Sequence, residues 1–348
     1  MRHSGSGGVA AVRPDELDLA LVNALQMRPR ASWSLLGRAI GVSSATAARR
    51  WQRLSGAGIA WVTAYAGPAV WERQCIAFLE VDCRPAHTGR IAREFAAEPH
   101  VLSVEHVADG CDLLFMAAFA DVTHLSRYIT DRIGAVPGVV GVRARLITRV
   151  HSEASSWRLG ALDAAQRGHL VTASPTSNVA GLGIRPQERE LLMALGADGR
   201  MDQAALATSV GTSATTVRRR LAHMIAGDAI RFRCEIATRY SGRPVSVTYR
   251  AAVSAHELDA IGEALTKLPE IRLIAEVTGP RNLWFVVWLR AVSDIPSLEA
   301  WLTGRFPALA EVDRSTTLLF VKRMGRLLDP DGRAVGNIPM DFWYTMPP

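Results

Sequence analysis

Apolar residues near the start of the chain recur at helical spacing. Leu17, Leu21 and Leu25 share one face of a predicted helix. Acidic residues occupy its first turn, where the helix dipole favours negative charge. A second helix is predicted from about Ser34 to Ile40, so this part of the chain is composed of short amphipathic helices.

A third helix follows after a tight turn. Gly41 suits the left-handed residue that ends many helices, and the Ser43 hydroxyl can cap the helix that begins next. The small residue Gly37 allows two helices to cross closely. The inward face of the third helix consists of Ala47, Trp51 and Leu54. This arrangement predicts a helix-turn-helix.

Shorter elements alternate after the helical segment. A connecting strand (60–66) precedes strand 75–81, helix 85–97, strands 101–107 and 111–119, helix 123–134 and strand 139–150. The order βαββαβ predicts a ferredoxin-like sandwich, in which one sheet carries two helices on a single face.

The whole pattern repeats 170 residues later without a net insertion. Gly41-Val42-Ser43 recurs as Gly211-Thr212-Ser213, and Arg49-Arg50 recurs as Arg219-Arg220. Downstream, Asp112-Leu113-Leu114-Phe115 matches Asn282-Leu283-Trp284-Phe285. We therefore predict an α+β protein with two copies of one unit, a winged-type helix-turn-helix followed by a ferredoxin-like sensing domain.

These patterns divide the chain into seven segments. The predicted segments are a disordered tail (1–13), helix-turn-helix 1 (14–60), sensing domain 1 (61–151), a linker (152–183), helix-turn-helix 2 (184–230), sensing domain 2 (231–323) and a C-terminal tail (324–348). The linker is predicted from its Ser-, Pro- and Gly-rich composition. The C-terminal tail is turn-rich and then aromatic, and we expect it to fold back onto a sensing domain or a partner subunit.

Composition narrows the function classes. Forty basic residues against thirty-three acidic ones give a net charge of +7, which permits a polyanionic partner. No uncharged apolar run approaches the roughly 20 residues that a membrane span needs, and the N-terminus lacks an export signal, so we expect a cytoplasmic protein without a membrane partner. The four cysteines stand singly in apolar contexts, and no catalytic motif, metal site or cofactor site is predicted.

Double-stranded DNA is the predicted polyanion. The groove-facing residues would reach base edges, and arginines on the same helix would hold phosphates. The predicted DNA-binding residues are Ser43, Ser44, Ala45, Thr46, Arg49, Arg50, Arg53, Ser213, Ala214, Thr215, Thr216, Arg218, Arg219 and Arg220. A surface arginine cluster on an ordinary three-helix bundle is the structural alternative.

The complete unit resembles the leucine-responsive and asparagine-regulator (Lrp/AsnC) family of transcription factors. The resemblance rests on the Gly-x-Ser turn with Arg49-Arg50, on Gly110-Cys111-Asp112 and on Pro137-Gly138-Val139, and it covers both copies. It implies a homo-oligomer and a small-molecule effector such as an amino acid. The implied effector-binding residues are Gly110, Asp112, Gly279 and Asn282. A Gly-x-Asp sequence between strands is also typical of a tight turn.

Two other functions stay open at this point. A side branch with the same architecture resembles sirohaem decarboxylases, for which the candidate catalytic residues are His100, His106, Arg143 and Arg145. A module that kept the fold and binds protein instead of DNA is the second alternative. Among regulators, the duplication predicts two unequal half-sites, because Ser44-Ala45-Thr46 differs from Ala214-Thr215-Thr216.

Overall fold

The computed structural model describes residues 12–170 and 184–346. The first copy contains α1 (Glu16–Met27), α2 (Trp33–Ile40), α3 (Ser44–Gly56), β1 (Ala60–Ala66), α4 (Pro68–Trp71), β2 (Cys75–Cys83), α5 (Thr88–Ala96), β3 (Val101–Ala108), β4 (Leu113–Phe119), α6 (Val122–Arg127) and β5 (Val139–Ser152). The connection and second copy contain α7 (Ala164–Gly168), α8 (Pro186–Ala197), α9 (Gln203–Ser209), α10 (Ala214–Ala226), β6 (Ile230–Ile236), β7 (Val245–Ala252), α11 (Leu258–Leu265), β8 (Ile271–Val277), β9 (Leu283–Leu289), α12 (Ile295–Arg305), β10 (Ala310–Arg323), β11 (Arg326–Leu328) and β12 (Ala334–Asn337). No helix within the described ranges is long and apolar enough to cross a membrane.

Each predicted helix-turn-helix forms as the local sequence dictates. Gly41 and Gly211 adopt left-handed backbone conformations, with φ of 75° and 65°. At Gly37 a Cβ atom would lie 2.6 Å from the Val42 carbonyl oxygen, so only glycine permits the close helix crossing there. Both turns thus have the predicted geometry.

The two sensing domains share one continuous sheet. Its strands follow the order β3-β4-β2-β5-β8-β9-β7-β10, and β10 pairs again with β3 to close a barrel. The helices α5 and α6 cover the outside of the first half, where Ile91, Phe95 and Leu125 join the core. The predicted α+β fold is confirmed, and the open faces of the two sheets bury one another.

A pseudo-twofold axis relates the copies. In the pair β1–β6 the residues Thr63 and Arg233 face each other, and these positions are equivalent in the repeat. The contact of Ile147 with Val277 likewise mirrors that of Thr317 with Val107. Reciprocal pairing of this kind is the signature of a twofold interface between subunits. One chain therefore holds the arrangement of a dimer.

The helix-turn-helix units contact each other by the same symmetry. Arg30 donates hydrogen bonds to the carbonyls of Gly199 and Met201, the latter at 3.0 Å. Arg200 donates to the equivalent carbonyls of the first copy, Pro29 at 2.6 Å and Ala31 at 2.8 Å. These reciprocal bonds fix one helix-turn-helix against the other.

The predicted linker needs correction over its first half. The segment 159–170 packs on the first helix-turn-helix, where Leu162 and Leu170 are buried. The Ala161 amide donates to the Asn23 side chain at 2.8 Å, so polar contacts fix the same segment. The Gly- and Ser-rich part of the predicted linker, 171–183, and the predicted tail up to residue 11 lie outside the described residues.

Other boundaries also differ from the sequence prediction. The strand expected from Cys111 begins at Leu113, because Asp109 and Gly110 form a left-handed turn with φ of 71° and 81°. The helix expected to Gly134 is α-helical to Arg127 and continues as a π-helix over Tyr128–Ile133.

The C-terminal segment folds back onto the molecule as expected. The strands β11 and β12 form a hairpin, and Met340 and Phe342 enter a core shared by both copies. Tyr344 reaches sensing domain 1, where its ring stacks on His100 with centroids 3.7 Å apart.

Candidate nucleic-acid interface and sensing sites

The N-terminal ends of α3 and α10 are built alike. The Ser43 hydroxyl accepts from the Thr46 amide at 3.1 Å, and Ser213 accepts from Thr216 at 3.2 Å. Each serine also lies 2.9 Å from the threonine hydroxyl. In each helix the serine and the threonine thereby fix the conformation of the first turn. The exposed positions beside them are Ser44, Ala45, Ala214 and Thr215.

The predicted DNA-binding arginines fall into two groups. Arg49, Arg218 and Arg219 are exposed, Arg220 is half-buried, and none of the four has an ion pair within the described part of the chain. Their guanidinium groups are available to an external anion. Sequence reasoning could not separate these four from the remaining two.

Arg50 and Arg53 have acidic partners of their own. The Arg50 guanidinium lies 2.8 Å from both Asp15 and Asp18, and its pKa is raised by these hydrogen bonds. Arg53 pairs with the other oxygen of Asp18, whose side chain is fully buried. These ion pairs join α3 to α1, and the phosphate contacts of the two arginines stay a prediction.

The second copy lacks this ion-pair cluster. Arg185 replaces the first acid, and the second acid, Glu188, accepts from the Arg185 backbone amide at 2.9 Å. The residue equivalent to Arg53 is His223, whose Nδ1 lies 3.9 Å from Glu188. The cationic surface of α10 is therefore less neutralised than that of α3.

The predicted effector residues lie in equivalent turns. The Asp112 carboxylate accepts from the Cys83 amide at 2.6 Å. Asn282 makes the corresponding bonds, because its amide group both accepts from and donates to the Val253 backbone at 2.9 Å. Both side chains thus have backbone partners and shape their turns. Their predicted contact with an effector stays a prediction.

Gly110 borders a cleft between the two sensing domains, with a volume of about 280 Å³. Glu80 lies at its centre, 3.4 Å from Arg145 and 3.3 Å from Arg250. Arg250 also lies 3.2 Å from Asp313. On the opposite side Gly279 closely approaches Arg145. The charges in this cleft largely neutralise one another.

The four candidate residues of the enzyme alternative do not converge. Arg143 and Arg145 line the cleft beside Glu80, and no histidine is among its lining residues. His100 is buried under Tyr344, and burial lowers its pKa to about 3. His106 lies on β3 opposite Leu319.

One group of metal-capable side chains is present among the described residues. His151, Asp259 and Glu276 place ligand atoms within 4.8 Å of one another. Arg149 already pairs with Asp259, and Glu276 lies 2.7 Å from His151. Both carboxylates therefore already have a partner within the chain.

Sequence analysis missed a group of buried charges inside the barrel. Arg233, Arg272 and Arg323 surround Glu235, and all four are nearly inaccessible to solvent. The signal available in the sequence was the presence of arginine at strand positions whose side chains point into the barrel.

Comparison with known proteins identifies the domain types. The AsnC-type helix-turn-helix domain matches residues 15–55 and 188–225, and the Lrp/AsnC ligand binding domain matches residues 76–157. The helix-turn-helix is thus found at both copies of the repeat.

Curated relatives each correspond to one unit of this chain. An uncharacterized HTH-type transcriptional regulator of Pyrococcus horikoshii is 29% identical over 140 residues, which are 40% of this chain and 89% of that protein. The HTH-type transcriptional regulator LysM of Saccharolobus solfataricus is 27% identical over 136 residues, 39% of this chain and 94% of that protein.

A solved structure covers both units together. The siroheme decarboxylase NirDL aligns with a TM-score of 0.59 at 12% identity, over 89% of this chain and 93% of that one. At this identity the similarity concerns the fold, and it supports the two-unit architecture.

Proposed function

We propose that this chain, which carries the AsnC-type helix-turn-helix twice and an Lrp/AsnC ligand binding domain, is a sequence-specific DNA-binding transcriptional regulator of that family. The observation that carries the proposal is the pair of helices α3 and α10, which a pseudo-twofold axis relates within one chain. Dimeric helix-turn-helix proteins read two half-sites with such a pair. Here duplication replaces the second subunit.

The two helices would read different half-sites. The exposed pair Ser44 and Ala45 is matched by Ala214 and Thr215, so the groups presented to base edges differ. The charges differ as well, because Arg218 has no basic counterpart in α3. An operator of two unequal half-sites follows, bound in one orientation.

The sensing domains would bind a small effector, such as an amino acid or a related metabolite. The Lrp/AsnC ligand binding domain type supports this role. Since each helix-turn-helix is joined to the barrel by a strand of the pair β1–β6, a change in the barrel can alter how the two readers are held. We expect self-association of the chain to accompany this function.

Binding of the purified full chain to genomic fragments across a salt series tests the proposal. The expected result is selective binding whose affinity falls steeply with salt, because each phosphate contact releases counterions. Footprinting of the selected fragment should show two dissimilar half-sites, and a strict inverted repeat would contradict unequal reading.

Absence of selective binding would overturn the regulator proposal. An absorbance spectrum of the same preparation then separates the alternatives. A tetrapyrrole band would favour the decarboxylase function, and its absence would favour an interaction module.

A further inference from the structure

A cavity lies inside the barrel, between the sheets of the two sensing domains. Its volume is about 100 Å³, and both copies contribute to its wall. Three arginines, two tryptophans from β9, Phe78, Phe320 and Ser246 are among the lining residues. The cavity is separate from the charged cleft around Glu80.

The wall of the cavity carries an excess of buried positive charge. Arg233 and Arg272 lie 2.9 and 3.0 Å from Glu235, and Arg323 lies 3.5 Å from it. Burial alone would raise the pKa of Glu235, but the three arginines lower it to about 2, so one carboxylate faces three cations.

The remaining acids near the cavity have partners elsewhere. The Glu105 carboxyl accepts from the Thr317 hydroxyl, and burial raises its pKa. Glu153 is paired with Arg231 at 2.9 Å. Uncompensated charge in a protein interior destabilises the folded state, so an anion would be favoured here.

Four donors in the wall make no hydrogen bond within the described structure; besides Trp71 Nε1 and Arg233 Nε, the latter 2.9 Å from Glu235, two others remain. They are Arg323 Nε and Ser246 Oγ, on side chains that belong to residues 5% and 1% exposed. A buried donor left without a partner destabilises the folded state. Both donors line the same cavity, which points to a ligand that accepts hydrogen bonds.

Aromatic rings shape the rest of the wall. Phe78 stacks on Trp284 with ring centroids 5.0 Å apart. The Arg272 guanidinium lies 4.0 Å from the Trp288 ring centre and 4.8 Å from that of Trp157, and it also donates to Glu235. Flat side chains next to guanidinium groups suit a flat ligand with an anionic end.

We infer that this cavity binds a small, flat carboxylate, ranging in size from pyruvate to benzoate. The carboxylate would accept from Arg323 and Ser246, and the flat body would lie against the tryptophans. A neighbouring cavity of about 310 Å³ shares Trp71 and Glu153 with this one, so a larger member of the class has room to extend.

The site occurs once in the chain. The positions equivalent to Arg233, Arg272 and Arg323 in the first copy are Thr63, Leu102 and Glu153. The cations therefore belong to the second copy alone, although both copies line the space. We expect one ligand per chain.

This inference rests on the proposed function only in that ligand binding would regulate DNA binding. The binding of the ligand itself is measured without DNA. Intrinsic tryptophan fluorescence and calorimetry of the full chain would be recorded with pyruvate, benzoate and their neutral amides. The expected result is saturable binding of at least one acid at one site per chain, about tenfold tighter than its amide.

Substitutions locate the binding. Ser246→Ala should weaken the acid several-fold without lowering the melting temperature, because it removes a hydroxyl that has no partner. Ser315→Ala is the matched control, since that buried serine bonds to Arg250 outside the cavity. Val286→Phe should fill the space and abolish binding.

The inference fails if no acid binds saturably, in which case water fills the cavity. It also fails if acid and amide bind equally, or if Ser246→Ala and Val286→Phe leave binding unchanged. A chain that binds the acid but not DNA would overturn the regulator proposal alone. A chain that binds DNA but no acid would overturn this inference alone.

Discussion

At the scale of single residues, buried charge distinguishes positions that look alike in sequence. Lys322 is completely inaccessible to solvent, and its ammonium group donates to the Glu98 carbonyl oxygen at 2.8 Å. Burial lowers its pKa to about 7 from an ordinary 10.5. The ammonium group of Lys322 thus loses its proton at a pH at which most lysines stay charged.

Lys322 predicts a specific pH dependence of stability. Between about pH 7 and 10.5 the unfolded chain keeps a proton that the folded chain releases, so stability rises with pH by up to about 1.4 kcal/mol per unit from this group. Below pH 7 its cost is constant. Urea unfolding at pH 7 to 9.5 should show that Lys322→Met loses this contribution. Parallel pH profiles for the two proteins would contradict the prediction.

The buried carboxylate of Asp18 is a second case. It distinguishes Arg50, with which it pairs, from the equivalent Arg220. Arg50→Ala leaves the fully buried Asp18 carboxylate with Arg53 as its ion-pair partner, and we expect a loss of about 1–3 kcal/mol in unfolding free energy. Arg220→Ala is the matched control at the equivalent position, where no acid pairs with the arginine in the described structure, and it should change stability by less than about 0.5 kcal/mol. Equal losses in denaturant unfolding would show that the Asp18 pair does not stabilise α1 against α3.

At the scale of elements, α3 and α10 share a capped N-terminal end but differ in surface charge. The caps Ser43 and Ser213 satisfy amides that would otherwise lack partners, so each helix begins at a defined residue. What each helix presents to solvent depends on packing against its neighbour, α1 or α8.

The exposed arginines of these helices give the prediction for DNA binding. Arg49→Ala and Arg219→Ala should each weaken binding and lower the salt slope by about one unit, because each removes about one phosphate contact. The melting temperature should stay unchanged, since neither side chain has an ion pair in the described structure. Arg305→Ala on α12, also exposed, is the control. Unchanged DNA affinity in both test variants would place the interface elsewhere.

At the scale of the whole molecule, the repeat builds an intramolecular dimer whose halves are not interchangeable. Glu80 and Arg250 occupy equivalent positions and face each other between the sensing domains. Two copies of the first unit would bring like charges together there. The sequence thus favours pairing of unlike units within the chain.

Glu80→Gln tests this contact between the halves. It removes the carboxylate that Arg143, Arg145 and Arg250 share. Because Arg143 keeps Asp82 and Arg250 keeps Asp313, we expect a loss of about 1–3 kcal/mol in unfolding free energy. Glu105→Gln is the control, because that acid has no ion pair in the described structure and accepts instead from the Thr317 hydroxyl. If Glu80→Gln unfolds like the wild type, the pairing of the halves does not depend on this charge.

The sequence by itself determined the local features of this protein. Helical periodicity, the glycine turns and the serine caps gave the helix-turn-helix, since each depends on residues within four positions of one another. Alternating short elements gave the ferredoxin-like domains, and the constant offset gave the tandem architecture. The proposed regulator function rests on these features.

Tertiary structure decided what depends on distant residues. Acids about 35 positions away pair with Arg50 and Arg53 and so affect which arginines of α3 are available to DNA. No local sequence pattern indicates these pairs. The packing of 159–170 and the closed barrel also depend on long-range contacts. The cation cluster around Glu235 arises because β6, β8 and β10 converge there, and only the packing of the β1–β6 pair against the closed sheet brings them together.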